Sequence, residues 1–320
     1  MKSAVRIPSA PAKARIHRYL SVRDLSAEAT LEVLQLATSL KRAHRLGEDR
    51  PLLAGKTLAM IFQKPSLRTR VSFEAGMTQL GGHAIYLGPD DIRLGQRETT
   101  EDIAIVLSRM SNLIMARVFG HDIVEALARH ATVPVINGLS DREHPCQILG
   151  DLLTILERRE RIHGLRLAFV GDGNNVANSM LFAGALLGMD VSVVGPQGYE
   201  PPAELVNDAR DIARRSGATL TVTSDVAQGV RGADVVYTDV WASMGQEAEA
   251  DARKRLFAPY QVNASLMKLA KTDAVLLHCL PAHYGEELDY ATSRTENSAI
   301  FDQAENRLHA QKALMVAMAG

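Results

Sequence analysis

Apolar residues recur along the chain with two different spacings. Between residues 25 and 46 they occupy nearly every third or fourth position, which is typical of an amphipathic helix, and Ser26 is suited to cap its first turn. After this helix, short apolar runs alternate with stretches of helical spacing. The alternation predicts strand–helix units, and therefore mainly parallel sheets flanked by helices.

The predicted elements form two sets on either side of one long helix. The first set has strands at 57–62, 84–87, 113–116 and 133–136 and helices at 70–80, 99–110 and 121–131. The second has strands at 166–170, 190–194, 219–223, 234–238 and 274–278 and helices at 175–188, 203–216 and 262–270. The long helix begins at Pro145, a residue favoured at the first helical position, and the hinge between the two sets is expected within 145–160. A last amphipathic stretch, 302–318, is expected to form a helix that docks on a neighbouring element.

Composition and charge narrow the classes of protein that fit this pattern. The 320 residues are 46% hydrophobic, and 36 basic residues face 37 acidic ones, for a net charge of −1. This balance gives no global field that favours nucleic acids or membranes, so an anion site must be local. Cys146 and Cys279 stand far apart and indicate a reduced, cytoplasmic protein. The basic N-terminal stretch lacks the apolar segment of a secretory signal and is interpreted as a short tail, and no apolar run approaches the roughly 20 residues of a membrane span.

The first candidate site is the segment KPSLRTRVSFE, residues 64–74, at the join of a predicted strand and helix. A helix start offers unpaired backbone N–H groups, Ser66 and Thr69 add hydroxyl groups, and Arg68 and Arg70 add forked cationic donors, a combination that suits a phosphate. Two residues apart, the arginines cannot share one helix face, so one is expected to touch the ligand and the other to brace the loop. The alternative is a Ser66 that only caps the helix, with both arginines solvated, and this segment alone leaves both hypotheses open.

A second candidate is HPCQ, residues 144–147. Pro145 starts the long helix, which predicts that His144 is exposed at its mouth and kept neutral by the helix dipole, able to donate to a polarised carbonyl group. Gln147, one turn on, offers a donor and an acceptor. The alternative is a capping histidine beside a surface glutamine.

Two further candidates follow predicted strands at their carboxyl ends, where open α/β sheets bind ligands. In DVWASMG, Asp239 suits an ammonium group, and Ser243 with the backbone near Met244 suits a carboxylate; the charged run after Gly245 is interpreted as a mobile lid. The alternative for Asp239 is a turn cap, and Trp241 is expected to pack.

The second of these strand ends carries HCLPA, residues 278–282. Cys279 is a nucleophile, an orienting thiol or a core residue, and the lack of an adjacent base disfavours the nucleophile. Pro281 has no N–H, so the carbonyl groups of Cys279 and Leu280 are expected to face a ligand amine.

Two classes of cofactor find little support. GDGNN, residues 171–175, begins like a dinucleotide fingerprint, but Val176 stands where the third glycine belongs, so its asparagines favour a zwitterionic amino acid over a nicotinamide. The ten histidines show no metal-binding spacing, and no P-loop is present. We therefore expect neither a metal nor an organic cofactor.

Four motifs in order, SxRTR, HPxQ, DxxxSMG and HCLPA, make the chain resemble the ornithine carbamoyltransferases from about His17 to its end. SMG and HCLP favour ornithine over aspartate as the acceptor. The resemblance implies transfer of the carbamoyl group from carbamoyl phosphate to L-ornithine, giving L-citrulline and phosphate, by a homotrimer or a multiple of trimers. It also implies a carbamoyl phosphate-binding domain at 1–150, joined by a C-terminal helix at about 303–320, and an ornithine-binding domain at 151–302.

The resemblance assigns roles to named residues. Carbamoyl phosphate binding falls to Ser66, Leu67 through its amide, Arg68, Thr69, Arg93, Arg117, His144, Gln147, Cys279, Leu280 and Arg307. Ornithine binding falls to Asn175, Asp239, Ser243 and Met244. The catalytic set is Thr69, Arg117, His144, Asp239 and Cys279. Two positions depart from the family: Leu67 replaces a threonine, and Arg93 replaces a glutamine that reaches into a neighbouring subunit's site.

Three other hypotheses remain at this point. One is a carbamoyltransferase for a different amine, such as putrescine or an acylated ornithine. Another is a nicotinamide-dependent oxidoreductase, and the last is a non-catalytic binder of amino acids or phosphate on the same scaffold. The physiological direction of the reaction is also open.

Overall fold

A computed structural model describes residues 16–94, 97–242 and 249–320. The chain divides into two compact units, one running to Leu153 and including Glu305–Gly320, the other comprising Thr154–Ala304. Each unit is built on a five-stranded parallel sheet flanked by helices, which confirms the predicted fold class. No helix in the described ranges is both long and apolar enough to cross a membrane.

The sheet of the first unit has the strand order β1-β5-β4-β2-β3. Its strands are β1 Arg18–Tyr19, β2 Thr57–Phe62, β3 His83–Leu87, β4 Leu113–Arg117 and β5 Val135–Leu139. Its helices are α1 Ala27–Arg45, α2 Leu67–Gln79, α3 Pro89–Ile92, α4 Thr100–Met110, α5 His121–His130 and the start of α6 Pro145–Arg159. Ile61 and Ile114 from the central strands pack with Ile103, Val124 and Leu127 of α4 and α5, and this fully or almost fully buried core supports the strand ends.

The sheet of the second unit has the order β10-β9-β6-β7-β8. Its strands are β6 Arg166–Val170, β7 Asp190–Val194, β8 Leu220–Thr223, β9 Val235–Thr238 and β10 Val275–His278. Its helices are α7 Asn175–Leu187, α8 Ala203–Ser216, α9 Val226–Val230, α10 Ala250–Phe257, α11 Ala264–Met267 and the start of α12 Ile300–Ala319. Val170, Val236 and Leu276 of the three neighbouring strands form its core with Val230 and Ile300.

Several predicted boundaries were wrong, each for a local reason. The helix expected at 70–80 begins at Leu67, because the Ser66 hydroxyl accepts from the Thr69 amide at 3.3 Å and caps the turn. The arginines of the motif therefore lie inside the first turn rather than before it. The helix expected at 262–270 shrinks to α11, which Asn263 caps. The strand expected at 133–136 lies at β5, and β1 was not predicted.

The last helix, α12, also differs from its predicted character. It was expected to be amphipathic, yet residues 309–316 are all buried. Two of its buried polar side chains have partners: Lys312 Nζ donates to Gln79 Oε1 at 2.8 Å, and His309 Nε2 lies 3.3 Å from Glu305 Oε1. The spacing of residues in the sequence did not reveal this burial, because polar residues on one face of a helix are normally exposed to solvent.

His309 is expected to contribute to the loss of stability in acid. Burial, and then the charges of Lys312 and Lys41, lower the pKa of His309 to about 4, although Glu305 opposes them. Between about pH 6.5 and 4, the unfolded chain therefore binds a proton at this histidine that the folded chain does not bind. The free energy of unfolding falls across that window by about 2–3 kcal/mol. Urea unfolding of His309→Gln at pH 7 and pH 4.5 should show a smaller loss than the wild type. Exposed His163→Gln is the control, and equal losses in both variants would contradict the assignment.

Candidate active site

The first turn of α2 forms a cradle of donors at the end of β2. Ser66 caps the helix, its hydroxyl donates to Thr69 Oγ1 at 3.1 Å, and Arg307 Nη2 donates to the same oxygen at 2.8 Å. Thr69 is fully buried, whereas the Leu67 side chain is 74% exposed, so Leu67 can act only through its backbone amide. Orphan N–H groups at the positive end of a helix favour an anion here.

Three arginines surround a buried histidine in the same unit. Arg117 ends β4 opposite Phe62 at the end of β2, and its carbonyl oxygen accepts from Gln63 at 2.8 Å. Burial lowers the pKa of His144 well below its usual value, and the charges of Arg307, Arg117 and Arg68 lower it further. His144 is therefore neutral at pH 7, and all three arginines are near enough to lower its pKa.

His144 corrects one part of the prediction. It was expected to be exposed, but it is 4% exposed. Its neutrality was predicted from the helix dipole, whereas burial and the three arginines are what lower its pKa. A neutral imidazole in this position can donate to an oxygen that becomes negative.

Gln147 lies one turn into α6 and is almost fully buried. Its Nε2 donates to Asp151 Oδ1 at 2.8 Å, which fixes the orientation of the amide. Its Oε1 has no hydrogen-bond partner within the described part of the chain. This carbonyl oxygen is therefore available to accept from an NH₂ group of a ligand.

Two other arginines of the sequence prediction point elsewhere. Arg70 pairs with Glu74 at 3.0 Å and stacks over the Tyr86 ring at 4.0 Å, so it braces α2 against β3. Arg93 is exposed at the end of α3 with a left-handed backbone of φ 41°. Among the residues described, no hydrogen bond or ion pair joins Arg93 to the set around His144.

In the second unit, the carboxyl ends of three adjacent strands bring Asn174, Asp239 and Cys279 together. Asp239 follows β9, and its two carboxylate oxygens accept from Asn174 Nδ2 at 2.8 Å and from Cys279 Sγ at 2.9 Å. The amide of Val240 also donates to Asp239 Oδ1, at 2.8 Å. Asp239 is 7% exposed. The three hydrogen bonds hold its carboxylate in one orientation, which suits a group that binds and orients an amine.

A buried pair behind Cys279 shapes the HCLPA loop. His278 Nδ1 accepts from the Leu280 amide at 2.8 Å, so its proton lies on Nε2, which faces Glu287 Oε1 at 3.0 Å. Glu287 Oε1 also accepts from the His283 amide at 2.6 Å. The Leu280–Pro281 peptide bond is cis. The hydrogen bonds hold the backbone of the loop at Leu280 and His283.

Asp239, His278 and Cys279 offer ligand atoms within 4.8 Å of one another, a geometry that a metal ion can use. Both nitrogens of His278 already make hydrogen bonds, one as acceptor and one as donor, so this imidazole has no lone pair to give a metal. The expectation of a metal-free site stays a prediction.

The remaining predicted ligands are only partly described. Asn175 is the first residue of α7, immediately after the Asn174 cap. Ser243 and Met244 lie outside the described residues, as do 246–248, the first three residues of the run interpreted as a lid. From Ala250 that run forms α10.

Two family models match nearly the whole chain. The carbamoyl-P binding domain of aspartate/ornithine carbamoyltransferases matches residues 17–157, and the Asp/Orn binding domain matches residues 163–318. The protein belongs to the aspartate/ornithine carbamoyltransferase family. The resemblance stated from the four motifs is thereby confirmed.

Named members of this family are similar over almost the same length. The chain is 54% identical over 300 residues to an ornithine carbamoyltransferase from Anoxybacillus flavithermus, covering 94% of this chain and 96% of the relative. It is 52% identical over 301 residues to the anabolic ornithine carbamoyltransferase from Pyrococcus furiosus, with 94% and 96% covered. A solved ornithine carbamoyltransferase structure from P. furiosus matches with a TM-score of 0.93 at 52% identity, covering 96% of this chain and 98% of that one.

The sequence prediction missed three side chains that support this family's motifs here. Arg253, in the charged run, is buried; its Nη1 donates to Asp172 at 3.0 Å and to the Trp241 carbonyl oxygen at 2.8 Å. Burial raises the pKa of Asp172 to about 6, although Arg253 opposes the rise. Glu287 is the third. Arg253 carried no local signal, because a charged residue in a charged run is normally exposed to solvent. The partners of Asp172 and Glu287 cannot be identified from the residues around them.

The two cysteines are expected to differ in reactivity. Cys146 is fully buried, and burial raises the pKa of its thiol to about 12, whereas Cys279 is half-buried. A disulfide reagent at pH 8 should therefore modify one thiol of the folded protein, and a thiolate is the reactive form. Cys279→Ser should abolish the fast reaction and Cys146→Ala should leave it. Equal rates for both thiols in the folded wild type would contradict this.

Proposed function

We propose that the protein transfers the carbamoyl group of carbamoyl phosphate to the side-chain amine of L-ornithine, giving L-citrulline and phosphate. The observation that carries the proposal is a neutral, buried His144 among Arg68, Arg117 and Arg307, at the capped start of α2. Carbamoyl phosphate, a phosphate joined to a carbonyl group, suits these residues. Its phosphate needs cationic groups, and its carbonyl oxygen needs neutral hydrogen-bond donors. The names of the relatives support the same reaction.

The phosphate would lie on the α2 turn. Ser66, the amides of Leu67 and Arg68, the Arg68 guanidinium and Thr69 are its proposed ligands, because helix N-termini and arginine forks match phosphate oxygens. Arg307 holds Thr69 in place and adds charge. Arg93 is proposed to serve a neighbouring subunit's site, which agrees with its exposure.

The carbamoyl group would be held by the donors next to that turn. Thr69, Arg117 and His144 donate to its carbonyl oxygen, and Gln147 Oε1 accepts from its NH₂. When the amine attacks, negative charge gathers on that oxygen. Removing one such donor typically costs about 3–4 kcal/mol of transition-state stabilisation.

The acceptor would be held in the second unit. Asp239 orients the side-chain amine beside Cys279, and Asn175, Ser243 and Met244 are proposed to bind the amino-acid end. The amine must lose a proton before it attacks, because an ammonium has no lone pair. A nitrogen–carbon bond then forms, the bond from carbon to the phosphate oxygen breaks, and the leaving phosphate takes the nitrogen's second proton.

The assembly and location of the protein belong to the same proposal. We place carbamoyl phosphate binding in residues 1–150 with the helix at 303–320, and ornithine binding in 151–302. The working form is a homotrimer or a multiple of trimers. A cytoplasmic location is supported by Cys146 and Cys279, which form no disulfide.

One assay tests the proposal. The purified protein is given carbamoyl phosphate with L-ornithine, putrescine, N-acetylornithine or L-aspartate in parallel, and the ureido product is measured. Citrulline should form at least 100-fold faster than any other product, since a site built for a polar group typically rejects analogues without it by about 10⁴ or more. No product with ornithine would contradict the proposal, and a faster reaction with putrescine would move it to another acceptor.

A further inference from the structure

The placement of Arg307 depends on a helix with no solvent-facing stripe in its middle. Side chains 309–316 of α12 are all buried. An amphipathic stripe normally fixes the rotation of a helix; in α12 only the first half has one, with Phe301 and Glu305 exposed, and the second half, buried all round, lacks it. Apolar packing alone often tolerates more than one arrangement, so polar contacts must select the one observed.

One such contact comes from α1. Lys41 is 4% exposed, and its Nζ donates to Asn306 Oδ1 at 2.6 Å and lies 4.0 Å from Glu305 Oε1. Asn306 is fully buried. Burying an ammonium carries a desolvation penalty, so a buried, hydrogen-bonded charge is weak evidence for a gain in stability. The lysine is therefore better explained by the arrangement that it selects than by stability.

Asn306 and Arg307 are neighbours on α12. Adjacent helix residues lie about 100° apart around the axis and 1.5 Å along it. A rotation or slide of α12 by one residue would break the Lys41–Asn306 contact and would also carry Arg307 away from Thr69. We infer that Lys41 is a positioning residue for the anion half of the site, acting through Asn306 on Arg307.

A second buried cation anchors the helix farther along. Lys312 is fully buried; it donates to Gln79 Oε1 at 2.8 Å and to Asp49 Oδ1 at 3.2 Å. Gln79 ends α2, the helix whose first turn holds Thr69. The contacts at Asn306 and Lys312 lie about one and a half turns apart on α12. Together they fix the rotation of the helix about its axis and its position along that axis. The inference rests on the proposed function only for the identity of the anion.

The test compares Lys41→Met with a matched control on the same helix. Arg45 lies one turn after Lys41 and reaches the same stretch of α12, 3.2 Å from Glu305, but this pair is exposed to solvent. Calorimetry measures the Kd for carbamoyl phosphate with no acceptor present, and urea unfolding measures stability. Lys41→Met should stay folded with some loss of stability, because Asn306 Oδ1 loses a buried donor, and should raise the Kd about 10- to 100-fold, the loss expected when a charge-assisted hydrogen bond to the anion is weakened. Arg45→Met should stay within about twofold of the wild type.

The mechanism is separated from a purely structural role by a double-mutant cycle. If Lys41 acts through Arg307, then Lys41→Met should add no further loss of affinity in the Arg307→Ala background. The same fold loss in both backgrounds, or a folded Lys41→Met with the wild-type Kd, would overturn the inference.

Two more variants cover a Lys41→Met protein that does not fold. Lys41→Gln keeps a donor for Asn306 and should retain the wild-type Kd, whereas Asn306→Leu should reproduce the loss; the reverse order would overturn the inference. Because these titrations contain no acceptor, they do not depend on turnover. A wild type that binds carbamoyl phosphate but makes no citrulline would contradict the proposed function alone.

Discussion

Arg68→Ala is expected to raise the Kd for carbamoyl phosphate about 10- to 100-fold. A hydrogen bond to a charged group is worth about 1.5–3 kcal/mol, and each 1.4 kcal/mol is a factor of ten in affinity. Arg68 lies in the first turn of α2, and its charge is one of three that lower the pKa of His144. Titration of the variant with carbamoyl phosphate, without an acceptor, measures the loss directly.

Arg70→Ala is the matched control for this experiment. Arg70 belongs to the same turn, but it pairs with Glu74 and stacks on Tyr86, so its loss should change the Kd by less than about threefold. Near-normal affinity in Arg68→Ala would mean that Arg68 is a solvated residue that does not bind the phosphate. A larger loss in Arg70→Ala would reverse the roles of the two arginines.

Asp239→Asn is expected to lower kcat/KM for ornithine by on the order of 10³ while leaving the Kd for carbamoyl phosphate within about twofold. Asparagine keeps the shape and one acceptor oxygen for Val240 and Cys279, but it removes the charge that attracts and orients the amine. Positioning of a reacting group commonly contributes effects of this size.

The readout of the Asp239 experiment is steady-state kinetics with ornithine varied at saturating carbamoyl phosphate. Asp211→Asn, an exposed position on α8, controls for loss of one negative charge in the same unit. If Asp239→Asn kept kcat/KM within tenfold, the carboxylate would be a turn cap. Equal losses for the two substrates would indicate a general disturbance of the fold.

The candidate site residues could be predicted from the sequence because the information behind them is local. Strand runs and helix periods locate the element ends, and Ser66, Asp239 and Cys279 stand directly at those ends. Parallel strands align their carboxyl ends, so side chains far apart in sequence can be expected to meet. The order of the strands and the exact start of α2 needed the structure.

The support of the site was not predictable, because its partners are distant in sequence. His144 is buried by elements that the HPCQ motif does not contain. Lys41 and Asn306 are 265 residues apart, and Arg253 and Asp172 are 81 apart. Periodicity indicates which face of a helix is apolar, but it cannot indicate which buried charge will find a partner on another element.

The most direct test of the proposed reaction follows the carbonyl carbon of carbamoyl phosphate. Carbamoyl phosphate labelled with ¹³C is mixed with the protein and L-ornithine, and NMR records the label while released phosphate is counted. The label is expected to move to the side-chain nitrogen of ornithine, with one citrulline formed for each phosphate released. Label on the α-nitrogen, or phosphate release without a carbamoylated product, would contradict it.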